Sequence, residues 1–142
     1  MTWTYTTDIT PYNIGEETQE QKNRNLYHKQ AYDFFLKECC IEENKLSNSI
    51  KHLKNKIDRR TNSPYKKYRI FMDLDPEEDK IEIEGCNFTF LKSKFLSSPK
   101  FKKDLISYYK PMGLFVRGPY NITTKQSYHT TKWTIDLYWN DD

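Results

Sequence analysis

The chain has 142 residues, is 36 % hydrophobic and 30 % charged, and carries a formal net charge of +3. That length suits one domain with a core of its own. A mean hydropathy of −0.96 is low, but an aromatic content of 15 % excludes a disordered chain, because disordered chains are poor in aromatics.

Residues 1–15 form an aromatic arm with Trp3, Tyr5 and Ile9, closed by Pro11 and Gly15. Trp3 and Tyr5 alternate with threonines, which predicts a short strand able to pair with the similar strand at the other end. The first ten residues lack a basic and then apolar leader pattern, so a secretory signal is not expected.

Residues 16–142 are expected to be a single α+β domain, helical over 16–60 and sheet-rich over 65–139. The helical part lacks proline and has Glu16, Glu17 and Glu20 early, where acids favour the positive end of the helix dipole. Leu26, Tyr27, Ala31, Phe34, Phe35 and Ile41 make a first apolar face. Leu46, Ile50, Leu53 and Ile57 make a second, at spacings of 4, 3 and 4, the seam of a heptad. One bent helix or two helices fit this pattern. The run RRTNSPYKK (59–67) ends it.

Three strands follow as a meander: Tyr68 to Leu74, Ile81 to Ile83, and Phe88 to Phe90, each alternating apolar and polar. DPEED (75–79) and GCN (85–87) are the turns between them. Ser98-Pro99 opens a helix, N-cap then first turn, with Phe101, Leu105, Tyr108 and Tyr109 on one face. Leu114 to Val116 is a fourth strand and HTTKWTIDLYW (129–139) a fifth. Trp133, Ile135, Leu137 and Trp139 share one face of that last strand and need a helix over them. The expected architecture is therefore a long helical segment packed on a mostly antiparallel five-stranded sheet, with a second helix between strands 3 and 4.

No stretch approaches the roughly 20 apolar residues of a membrane helix, so no membrane partner is expected. Cys39, Cys40 and Cys86 make a poor disulfide framework and point to a reducing, intracellular setting in cytoplasm or nucleus. The sequons at Asn87 and Asn121 read as chance matches. Ala31 is the single alanine and Val116 the single valine, a bias that an AT-rich genome would write, such as that of a virus.

Charge is segregated along the chain. Residues 45–69 carry 9 bases against Asp58, and residues 92–117 carry 7 bases against Asp104, while 73–84 carries 7 acids against Lys80. Tyrosines lie among the basic blocks. Lysine and arginine release counterions from phosphates, and aromatic rings stack on bases. The leading expectation is therefore a non-enzymatic nucleic-acid-binding protein whose basic face holds Lys51, Lys54, Arg59, Arg60, Lys66, Lys67, Arg69, Lys102, Lys103 and Arg117. The competing expectation is a protein–protein module, a homodimer or a subunit of a viral assembly. Trp3, Tyr5 and the seam Leu46, Ile50, Leu53 and Ile57 would be its contacts. The competing bland reading is that charge runs are solvated faces, and the sequence pI of 8.6 lies below the value of about 9 usual for nucleic-acid domains.

RIFMDLDP (69–76) imitates the D-x-D strand of a haloacid-dehalogenase-type phosphatase at Asp73 and Asp75, but turns and strands follow where that fold needs a helix. His28, His52, His129 and the cysteines are too scattered for a zinc signature. With four glycines, no loop is rich enough in glycine to cradle a phosphate. No metal, cofactor or catalytic residue is expected.

Overall fold

The computed structural model describes residues 18–123 and 130–139. The expected strand around Trp3 and Tyr5 lies outside them. The described chain is α+β. Its elements are α1 (Gln19–Cys39), α2 (Glu43–Lys54), β1 (Ile57–Asp58), β2 (Ser63–Pro64), β3 (Lys67–Leu74), β4 (Lys80–Glu82), β5 (Thr89–Leu91), α3 (Lys92–Leu96), α4 (Pro99–Tyr109), a 3-10 turn (Lys110–Met112), β6 (Phe115–Asn121) and β7 (Thr131–Tyr138).

The helical segment is two helices that stop short of residue 60. Thr18 caps α1 through its hydroxyl, which accepts from the Gln21 N–H at 3.1 Å. The chain breaks between Cys40 and Glu42, and Tyr109 holds the break in place. Its hydroxyl donates to the Cys39 carbonyl at 2.6 Å and accepts from the Ile41 N–H at 2.9 Å. Past Lys54 the backbone turns into the β1–β2 hairpin. The Asp58 carboxylate accepts from the Arg60 N–H, and Asn62 sits at φ 59°, a left-handed turn position that asparagine tolerates. Ile57 is therefore in a strand and 60 % exposed, not the last rung of a heptad.

Among the described residues the expected single five-stranded sheet is instead three sheets. The main one has the order β3-β7-β6, all antiparallel, and two hairpins, β1-β2 and β4-β5, stand apart. The predicted meander fails at its first link, because β3 pairs with β7 over eight positions, from Lys67 opposite Tyr138 to Leu74 opposite Thr131. That long ladder satisfies far more backbone donors and acceptors than the three-residue β4 offers. The β4-β5 hairpin is tied to α3 instead, where the Asp79 carboxylate accepts from both the N–H and the hydroxyl of Ser93 at 2.8 and 2.9 Å. The region between the hairpin and β6 holds two helices rather than one. The second begins at Ser98-Pro99 as its sequence predicts.

The inner face of the main sheet and the helices make one core. Trp133, Ile135, Leu137 and Trp139 pack with Ala31, Phe35, Leu46, Phe101, Leu105 and Tyr109, and Ile70 and Met72 of β3 close against them. β7 is the central strand and is buried on both faces, down to Thr134 and Asp136 on its polar phase. That is why it is the most regular apolar stretch of the chain.

Candidate nucleic-acid interface

The register of the main sheet fixes its outer face row by row, because residues paired across strands point to the same side. The rows read Lys67–Tyr138–Phe115, then Arg69–Asp136–Arg117, then Phe71–Thr134–Tyr120, and last Asp73 beside Lys132. Cations and aromatic rings thus alternate on one surface. Phe115 is 62 % exposed, Phe71 52 % and Tyr120 47 %, a high exposure for rings of that size when the opposite face is a packed core.

Asp136 organises the middle of this face. It is buried, and Arg69 grips it with two bonds, Nε to Oδ1 at 2.8 Å and an Nη to Oδ2 at 3.1 Å. The Thr134 hydroxyl adds a third at 3.3 Å. The Arg69 hydrogen bonds hold the Asp136 carboxyl below the usual carboxylate range, and the same bonds push the guanidinium up. The bidentate grip fixes the plane of the Arg69 fork and leaves its remaining N–H groups on a half-exposed side chain. Arg117, across β7, lies over the Tyr138 ring at 4.8 Å, and the Lys67 ammonium lies 6.0 Å from the same ring. Lys132 faces Asp73 at 3.9 Å.

The bulge in β6 aims Tyr120 onto this face. Pairing with β7 runs regularly at Phe115, Val116 and Arg117, shifts, and resumes at Tyr120. Gly118 occupies the shift at φ 95°, and a Cβ there would lie 2.9 Å from the Thr134 carbonyl oxygen and from the Tyr120 nitrogen. Only glycine fits.

The structure thus joins part of the two basic blocks. Lys67 and Arg69 from the first block meet Arg117 from the second across β7. Lys66 is at the edge of the group, its carbonyl accepting from the Trp139 N–H. Lys51 and Lys54 lie on the last turns of α2, lining a cleft of about 330 Å³ with Met112, Leu114 and Trp139. Arg59 and Arg60 are exposed between β1 and β2. Lys102 and Lys103 are exposed on α4, whose Phe101 and Leu105 enter the core, so they belong to the helical layer behind the sheet. Of the expected partner seam, Leu46 is in the core at 1 % exposure, and Ile50 and Leu53 pack against it. Those three side chains face inward.

Phe71, Phe115 and Asp136 escaped the sequence reading. Phe71 and Phe115 each interrupt an apolar run out of phase with the buried set, and that phase error was the available signal. The role of Asp136 needs the register of three strands.

The phosphatase-like pair has other work. Asp73 faces Lys132, and the Asp75 carboxylate accepts from the N–H groups of Glu77 and Glu78 at 2.9 and 2.7 Å, shaping the turn. Among the described residues no group of three or more His, Cys, Asp or Glu side chains is placed to hold a metal ion. No described helix is long and apolar enough to cross a membrane. Comparison of the chain with protein-family models, with curated proteins and with solved structures returned no match.

Proposed function

We propose that the protein binds nucleic acid on the outer face of the β3-β7-β6 sheet, without catalysing a reaction on it. The observation that carries this reading is the row Arg69–Asp136–Arg117 with aromatic rings in the rows on either side. A buried carboxylate fixes one guanidinium, a tyrosine ring supports the other, and both lie on an exposed surface. The Arg117 fork and the N–H groups that Arg69 keeps beyond Asp136 suit phosphate oxygens, and counterion release makes such contacts favourable at moderate salt. Lys66 lies at the edge of this face, whereas Lys102 and Lys103 lie on α4 in the helical layer and leave the proposed site.

The test is fluorescence anisotropy of a labelled oligonucleotide at two salt concentrations. Replacing Lys67 and Arg117 together by Gln should weaken binding about tenfold at low salt and flatten its salt dependence, since each lost phosphate contact removes close to one ion from the slope. Replacing Lys102 and Lys103 by Gln should leave affinity within about twofold. Equal effects of the two pairs would show that the charge acts diffusely and that this face has no special part.

A second reading has one observation in its favour. Phe71, Phe115 and Tyr120 are exposed apolar rings on the same sheet face, which suits a protein surface as well. Sedimentation at rising concentration separates the two: self-association that buries this face predicts a dimer lost on Phe115→Ser.

A further inference from the structure

Resting on that reading, we infer that the ligand is single-stranded, with unpaired bases stacked on Phe71 and Tyr120. Both side chains flank Thr134, one on each neighbouring strand, so their Cα atoms stand two strand spacings apart, about 10 Å. Thr134 between them is small and fully buried, with an exposed ring on the strand to each side. One row along, about 7 Å away on the same face, lie Arg69 and Arg117. Phe115 is in the row beyond, next to the Tyr138 ring that Arg117 already covers.

This arrangement matches the two parts of a single strand and mismatches a duplex. In a single strand the base faces are open, and each can lie against a ring while the backbone passes over the guanidinium groups of the next row. In a duplex the base faces are hidden in the stack and only phosphates and groove edges are offered. Exposed rings on the face of a sheet find no open base face to stack on in an intact duplex. Stacking also predicts weak dependence on base identity, because every base has a stacking face.

The experiment compares three probes of equal length: an intact single-stranded DNA, the same strand with abasic sites throughout its middle, and the matching duplex. The wild-type protein should bind the intact strand at least about tenfold more tightly than either of the others. Phe71→Leu with Tyr120→Leu keeps apolar bulk and removes the rings. It should erase that preference while leaving the salt dependence unchanged. Wild-type protein that binds intact and abasic strands equally, or prefers the duplex, overturns the single-strand inference and leaves the charged-face reading standing. No binding of any probe at low salt removes both. If the leucine pair fails to fold, Tyr120→Ile alone is the substitute, expected to lose part of the preference.

Discussion

Arg69 and Asp136 set the chemistry of the outer face, and they also link it to stability. The Asp136 side chain is 4 % exposed and that of Arg69 48 %, so the acid depends on its partner more than the base does. The folded carboxyl titrates below its unfolded value, first because Arg69 donates to it. The stability it contributes is therefore complete above the unfolded pKa of about 3.9 and drains as the pH falls through the lower folded value. Arg69→Met keeps the stem and removes the donors, leaving a buried carboxylate unpaired. Loss of a wholly buried pair costs about 3–5 kcal/mol, but here one partner is half in water, so the expected cost at neutral pH is about 1–3 kcal/mol. Urea unfolding at pH 7 should show that loss, and as the pH falls through the carboxylate range the variant and the wild type should converge. A difference that persists in acid would mean that Arg69 acts by packing rather than charge. None of this pairing was legible in the sequence. Arg69 stood among nine bases of its block, and Asp136 was one polar residue in an alternating strand. Only the register puts them opposite each other.

Elements whose pattern is local were readable, and those decided by competition between partners were not. Ser98-Pro99 states the start of α4 in two residues, and the alternation of Trp133, Ile135, Leu137 and Trp139 states a strand with one greasy face. The fate of β3 depends on which strand offers the longer ladder, and that partner lies about 60 residues away in sequence. The same holds for Ile57, whose heptad spacing is real but yields to the Asp58–Asn62 turn. The β6 bulge is the element on which the proposed site most depends. Gly118→Ala places a methyl group against the Thr134 carbonyl at a backbone angle that alanine disfavours. It should destabilise the fold by more than about 1 kcal/mol and turn Tyr120 away from Thr134. Thermal unfolding and the amide shifts of Tyr120 and Thr134 would report these together. An unchanged midpoint with unchanged shifts would show that the bulge absorbs the side chain.

At the scale of the whole molecule, the blocks of charge along the chain turn into a division between layers. Lys67, Arg69 and Arg117 come to one face from opposite sides of β7, while Lys102 and Lys103 remain on the helical layer. The sequence supplied the blocks and could not say which of their members meet. That depends on the sheet order β3-β7-β6, in which β7 lies between its neighbour in sequence, β6, and the distant β3. The most direct test of the account is a titration of the isotopically labelled protein with a short single-stranded oligonucleotide, followed by amide and arginine side-chain chemical shifts. Changes centred on Arg69, Phe71, Arg117, Tyr120 and Tyr138 are the predicted result. Saturable binding whose shifts centre on Lys102 and Lys103, with the outer sheet face silent, would contradict it.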